Sequence, residues 1–324
     1  MKPILRKIKN FIKKIMFHTM PGYRMSTHVY RRVEWVWSNL REELRMLDAK
    51  YETLYWFAVN NGDFRETEKK KQFFKSFECP NKNLRERQIA NAELLKLFRD
   101  ICERNGLTYW LEGGTLLGAI RHDGFIPWDD DIDVNMPIED MLRLKKLLEG
   151  EDKIKFRNKY NCYLGCIVPG IVVNENPNCW IDIFPMSYID CSNLGFDETE
   201  KTINAYSAEM RSVLKRRITI GPNQPDEFID MENKDDSRVE FIIKTYLEYE
   251  KKLPVGPKPN CCFRSLSAHN SPGGCNLFFI ENVFPLKTAE FEGETYAIPK
   301  NYHEWLTTYY GDYYHVALNR VPKH

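Results

Sequence analysis

The stretch YWLEGGTLLGAIRHDGFIPWDDDIDV, from Tyr109 to Val134, decides how this chain is read. It opens apolar, reaches Gly113 and Gly114, and continues from Thr115 to Arg121 in residues suited to a short helix. That is the pattern of a strand turning into a helix. Glycines at such a turn let backbone N–H groups approach an anion, and the first turn of a helix carries partial positive charge. Gly113, Gly114 and Thr115 therefore read as a phosphate cradle. Arg121 follows as a bidentate phosphate partner, with His122 beside it.

The run then turns acidic: Asp129, Asp130 and Asp131, followed by Asp133 on an apolar strand from Ile132 to Val134. Side chains on a strand alternate, so Asp131 and Asp133 share one face and Asp130 takes the other. Two adjacent carboxylates repel unless a cation lies between them. Hard divalent ions such as Mg2+ (or Mn2+) take carboxylate oxygens together with substrate phosphates. A bare Asp-x-Asp is equally the mark of an acidic surface turn. Asp182 tips the balance, because Trp180-Ile181-Asp182-Ile183-Phe184 is an apolar strand in which a lone charge is costly. If that strand neighbours the first, Asp131, Asp133 and Asp182 converge. Three carboxylates suit metal-assisted phosphoryl transfer, with Asp182 either a metal ligand or the acceptor of a proton from an attacking hydroxyl.

Around this centre, apolar periodicity and capping signals predict helices. One opens at Asn83 and Glu86; others cover 138–149, 199–217 and 236–252; the last opens at Asn301 and Glu304 and ends near Gly311. Short strands interleave with them without a regular βαβ rhythm. The expectation is a mixed α/β (α+β) domain, a mixed sheet flanked by helices. Hydrophobic residues make up 43% of 324, enough for a substantial core, and the net charge of +1 gives no case for a nucleic-acid partner. Nine cysteines lack a disulfide framework and paired CxxC spacing. Cys162, Cys166 and Cys179, and Cys261, Cys262 and Cys275, accordingly read as buried thiols in a reducing compartment rather than zinc ligands.

The N-terminal region is different in kind. Residues 1–20 set Ile4, Leu5, Ile8, Phe11, Ile12 and Ile15 on one side of a helix and lysines on the rest, a pattern that favours anionic membrane surfaces. Residues 27–60 hold a heptad, from Val33 through Trp37, Leu40, Leu44, Leu47, Tyr51 and Leu54 to Ala58, the seam of a homo-oligomer. Residues 61–83 read as a polar linker. There is neither a long apolar span nor a secretory leader, so the expected location is cytoplasmic, peripheral on the cytosolic face of the membrane.

Taken together, Gly114-Thr115-Leu116-Leu117-Gly118, Arg121-His122, Phe125-Ile126-Pro127-Trp128 and the aspartates to Asp133 resemble the LicD-type phosphotransferase family. That family is the fukutin and fukutin-related group of the polymerase-β-like nucleotidyltransferases. Trp180 to Pro185, Val283 to Leu286, Phe291-Glu292-Gly293 and Tyr310 to Tyr313 are similar to its later signatures. The resemblance covers residues 84–324 and implies a nucleotidyltransferase-type fold with an N-terminal helical extension. It also implies a donor, a CDP-linked alcohol such as CDP-choline or CDP-ribitol, and an acceptor, the hydroxyl of a cell-surface glycan or its lipid-linked precursor. CMP would leave. A nucleotidyltransferase that releases pyrophosphate, and a non-catalytic membrane-associated scaffold, are the competing readings. Trp128, Trp180 and Tyr313 read as packing rings in preference to a cage for a choline cation.

Overall fold

The computed structural model describes residues 67–79, 81–162, 164–218, 228–253, 256, 258–268 and 276–314. The readings of residues 1–20 and 27–60, and Cys275, lie outside them. In chain order the described elements begin with helices α1 (Thr67–Lys75) and α2 (Lys82–Asn105), strand β1 (Trp110–Leu111), helix α3 (Gly113–His122), strand β2 (Asp133–Pro137) and helix α4 (Ile138–Leu147). Strands β3 (Ile154–Asn161), β4 (Cys166–Val173) and β5 (Asn176–Ile189) follow, then α5 (Phe196–Arg217), β6 (Phe228–Asp230) and α6 (Ser237–Glu250). The chain continues through β7 (Cys261–Arg264), β8 (Leu277–Phe279), α7 (Ile280–Val283), β9 (Lys287–Phe291), β10 (Glu294–Ile298) and α8 (Tyr302–Tyr310).

The expectation of a mixed sheet holds. Its strands run β1-β2-β5-β4-β3-β6, with β7 joining β5 and β8 joining β7. β2 and β5 are parallel; β1, β3, β4 and β7 meet their neighbours antiparallel. Residues 61–83, read as a linker, contain helix α1, because Phe74 gives that polar stretch a fully buried anchor. Helix α2 starts at Lys82, not at an Asn83–Glu86 box. Asn81 caps it, its Oδ1 accepting from the backbone N of Asn83 at 3.0 Å. Gly106, at φ +59°, stops it in the left-handed conformation that glycine adopts freely. The final helix α8 begins as expected, with the Asn301 side chain accepting from Glu304 N.

Two apolar cores share the sheet. Leu95 and Phe98 of α2, Leu116 of α3, Val134 of β2, Ile181 and Ile183 of β5 and Trp305 of α8 belong to the first. Met210 and Leu214 of α5, Ile242 of α6 and Phe263 of β7 belong to the second. Ile181 and Ile183 sink into the first core, so the residue between them, Asp182, must face the opposite side of the sheet. The thiols of Cys162, Cys166 and Cys179 are buried. Burial pushes Cys166 up to about 12 and Cys179 up to about 11, the behaviour of inert core thiols and not of thiolate ligands. None of the described helices is long and apolar enough to cross a membrane.

Candidate active site

Asp133 is the first residue of β2, and β2 runs parallel to β5 with Asp133 directly opposite Asp182. The two strands are neighbours, and the register sets Asp133 against Asp182. A backbone bond from Asp182 N to Ile132 O, at 2.8 Å, fixes that register. The start of β2 is also stitched to the start of α3. Asp133 N donates to Thr115 Oγ1 at 2.9 Å, and Glu112 N donates to Asp133 O at 3.0 Å.

The glycines of that turn let carboxylates approach it closely. A Cβ on Gly113 would lie 2.6 Å from Asp133 Oδ2, and one on Gly114 would lie 2.3 Å from Asp129 Oδ2. Gly113 in addition holds φ at +54°. The missing side chains let the carboxylates of Asp133 and Asp129 lie against the first turn of α3, whose N-terminus favours negative charge. Thr115 accepts from β2 through Oγ1. Arg121 stands eight residues beyond Gly113, about 12 Å along the helix. It donates to Tyr313 O at 2.7 Å and lies over the Phe74 ring at 4.4 Å. His122 is packed edge-on to Phe74, and burial, with Arg121 beside it, lowers it to about 3, so it stays neutral. These residues hold α1 and the segment after α8 against α3.

Asp129 does join the centre. Burial pushes it up to about 8, with the charges of Asp131 and Asp130 adding to the effect. Asp133 is driven well above the usual carboxylate range by burial, then by the charges of Asp131, Asp182 and Asp129, with Arg264 opposing. Asp182 rises to about 6, burial outweighing the lowering by Arg157. Asp129, Asp130 and Asp131 each offer an oxygen within 4.8 Å of the others. Asp130, however, turns to Arg87 of α2 in a 2.8 Å ion pair, so its charge is already answered. Buried polar residues of α2 hold the run in place: Gln88 donates to Asp129 O at 2.8 Å and Asn91 to Asp130 O at 3.0 Å. Among the described residues it is Asp129, Asp130 and Asp131 whose oxygens lie close enough to share a cation, with Asp133 and Asp182 paired in register beside them; acidic oxygens of this kind suit a hard divalent cation.

The repulsion has a measurable sign. In metal-free protein the folded state keeps protons on Asp129 and Asp182 up to about 8 and about 6, while the unfolded chain loses them near 3.9. The folded form thus binds more protons across that window, and stability falls as pH rises from about 4 to about 8. Melting in EDTA should drop between pH 5 and pH 8, magnesium should oppose the drop, and Asp129→Asn should shrink it. A pH-independent melting temperature in EDTA would contradict this electrostatic picture.

Behind the carboxylates sits a buried network with no counterpart in the sequence reading. Glu112, wholly buried, receives Arg264 Nη2 on one oxygen. Its other oxygen accepts from Trp305 Nε1 at 2.7 Å and from Asn135 Nδ2. Arg264 lies over the rings of Phe184 at 4.2 Å and Tyr309 at 5.0 Å. Of the three rings weighed as a cation cage, Tyr313 is buried and its hydroxyl meets His303 Nδ1 at 2.8 Å. Trp180 is covered by Arg87 at 4.4 Å, and Trp128 packs against Phe77. They form no common cage.

With this geometry in place, similarity to known proteins can be stated. Residues 106–209 match the model of the LicD/FKTN/FKRP nucleotidyltransferase domain. The chain is 27% identical over 245 residues to the lipopolysaccharide cholinephosphotransferase LicD of Haemophilus influenzae, covering 71% of this chain and 91% of that protein. It is 33% identical over 113 residues to human ribitol 5-phosphate transferase FKRP, but this covers only 19% of that protein. An uncharacterised protein of Rickettsia prowazekii, RP689, is 38% identical over 92 residues.

Proposed function

Since this chain belongs to the LicD-type family, we propose that it transfers a substituted phosphate from a CDP-linked alcohol to a hydroxyl of a cell-surface glycan or its lipid-linked precursor. Phosphocholine and ribitol phosphate are the groups that its relatives' names suggest. The observation that carries the reading is the pairing of Asp133 with Asp182 across parallel strands, with Asp129 beside them. Such a centre repels itself unless it meets positive charge.

In the reaction proposed, the acceptor oxygen forms a bond to the donor's distal phosphorus. The bond from that phosphorus to the bridging oxygen breaks, and CMP departs with the bridging oxygen. A magnesium or manganese ion held by Asp131, Asp133 and Asp129 would supply Lewis-acid stabilisation of phosphate charge. Asp182 would either complete that ion's ligands or, left outside them, take the acceptor's hydroxyl proton. The Glu112–Arg264 network holds β2, β7 and α8 behind the carboxylates and keeps bulk water from that side. Purified protein should release CMP from one of CDP-choline, CDP-ethanolamine, CDP-glycerol or CDP-ribitol in the presence of magnesium or manganese. Pyrophosphate release from CTP instead would establish the nucleotidyltransferase reading and overturn this one.

We further propose that residues 1–20 hold the enzyme on an anionic membrane surface, where a lipid-linked acceptor would be met. Each basic residue near such a surface contributes about 1 kcal/mol. Deleting residues 1–20 should abolish sedimentation with phosphatidylserine vesicles at low salt. Binding by the full chain that is indifferent to salt, or absent, would count against the proposal.

A further inference from the structure

Four positions on four adjacent strands stand in one row. Arg157 of β3 is opposite Gly170 of β4, Gly170 is opposite Asp182 of β5, and Asp182 is opposite Asp133 of β2. Residues directly opposite one another in a sheet project from the same face. Arg157 and Asp182 are thus two strands apart, about 10 Å between backbones at the usual strand spacing. The arginine nevertheless reaches across β4, and its Nη2 pairs with Asp182 Oδ1.

Gly170 is what opens that path. A Cβ there would lie 3.2 Å from Arg157 Nε, 3.4 Å from Asp182 Oδ1 and 2.3 Å from the Ile181 carbonyl oxygen. Any side chain at 170 would press on the guanidinium and on the backbone of β5 together. The missing Cβ is the device that carries a cation from the third strand into the carboxylate centre.

Arg157 is also under-used. A guanidinium has five N–H donors in a rigid fork, and here one nitrogen meets Asp182 while Nε is buried without an acceptor. Its carbon lies 5.6 Å from the Trp180 ring. Arg87 and Arg264 each leave Nε unpaired as well, but Arg264 answers the wholly buried Glu112 and Arg87 answers Asp130, whereas Arg157 is the one paired with a carboxylate of the Asp133–Asp182 pair. Arg157 keeps 21% of its side chain exposed. Spare donors beside a cluster that takes phosphate call for an acceptor-rich anion.

We propose that Arg157, admitted by the gap at Gly170, binds the diphosphate of the CDP-linked donor. The role was assigned in sequence to Arg121, which the fold places elsewhere. This inference rests on the donor named above, and its test separates the two. In Arg157→Ala the KM for the active CDP-alcohol should rise about tenfold to a hundredfold, the range for hydrogen bonds to a charged group. The KM for the acceptor should stay as in wild type. Added guanidinium ion should recover part of the loss, and Arg157→Lys should fall between, since an ammonium keeps charge but not the fork. A residue that only positions Asp182 would lower kcat and leave the donor KM alone, and that outcome overturns the proposal. Should no CDP-alcohol be turned over by wild type, the functional reading fails first. Calorimetry with CMP and with inorganic pyrophosphate, each with manganese, then decides the Arg157 role. Binding by wild type that weakens at least tenfold in Arg157→Ala sustains it, and equal or absent binding ends it.

Discussion

Asp133→Asn should abolish transfer and leave the metal-free protein at least as stable as wild type. Both halves follow from one fact: Asp133 is buried among the charges of Asp131, Asp182 and Asp129. Neutralising it removes an anionic holder of the proposed cation, whose stabilisation of phosphate charge is worth several kcal/mol. A loss of about 4 kcal/mol is about a thousandfold in rate. The same change relieves like-charge repulsion in the absence of metal, so melting in EDTA should not fall. Asp182→Asn should cost at least about two orders of magnitude, the scale of general-base catalysis. Asp130→Asn makes the contrast: it weakens an ion pair with Arg87 and should act on stability more than on turnover. Turnover and melting, each with magnesium and with EDTA, are the measurements. An Asp133→Asn enzyme at near-normal turnover would refute the metal assignment.

Arg264→Ala should be the most destabilising single change in the centre. It leaves Glu112, wholly buried, without its cation, and breaking a buried pair typically costs 3–5 kcal/mol, about 10 °C in melting temperature for a domain of this size. The cavity left between Phe184 and Tyr309 adds to it. The double variant Arg264→Met with Glu112→Gln should recover much of the loss, because an uncompensated charge costs more than an absent pair. Thermal melting of the single and double variants checks this. A double variant no more stable than Arg264→Ala would show that the pair is not the source.

The central carboxylates could be read from sequence because each lay in a pattern with a physical meaning: alternate residues on one strand, and one acid in an apolar run. Asp129 shares the parity of Asp131 and Asp133, but it precedes the strand, where alternation gives no instruction. Glu112 is an acid at the end of an apolar strand and satisfies the argument that identified Asp182. Its partners, Arg264 and Trp305, are 152 and 193 residues away, and no local pattern pairs them. Arg121 was misplaced for a reason that helix geometry supplies, since two turns of α3 carry it away from Gly113. The same local logic missed α1, where the buried Phe74 meets Arg121 and His122.

The reach of Glu112 has a consequence for how the molecule comes into being. At about 5–20 residues per second on the ribosome, the 193 residues from Glu112 to Trp305 take about 10–40 s to make. The cation that neutralises Glu112, Arg264, follows it by 152 residues, about 8–30 s into that interval, and until then the unpaired carboxylate cannot be taken out of water. This corner of the sheet therefore stays open in the nascent chain until Arg264 is made, and Trp305 of α8 completes it.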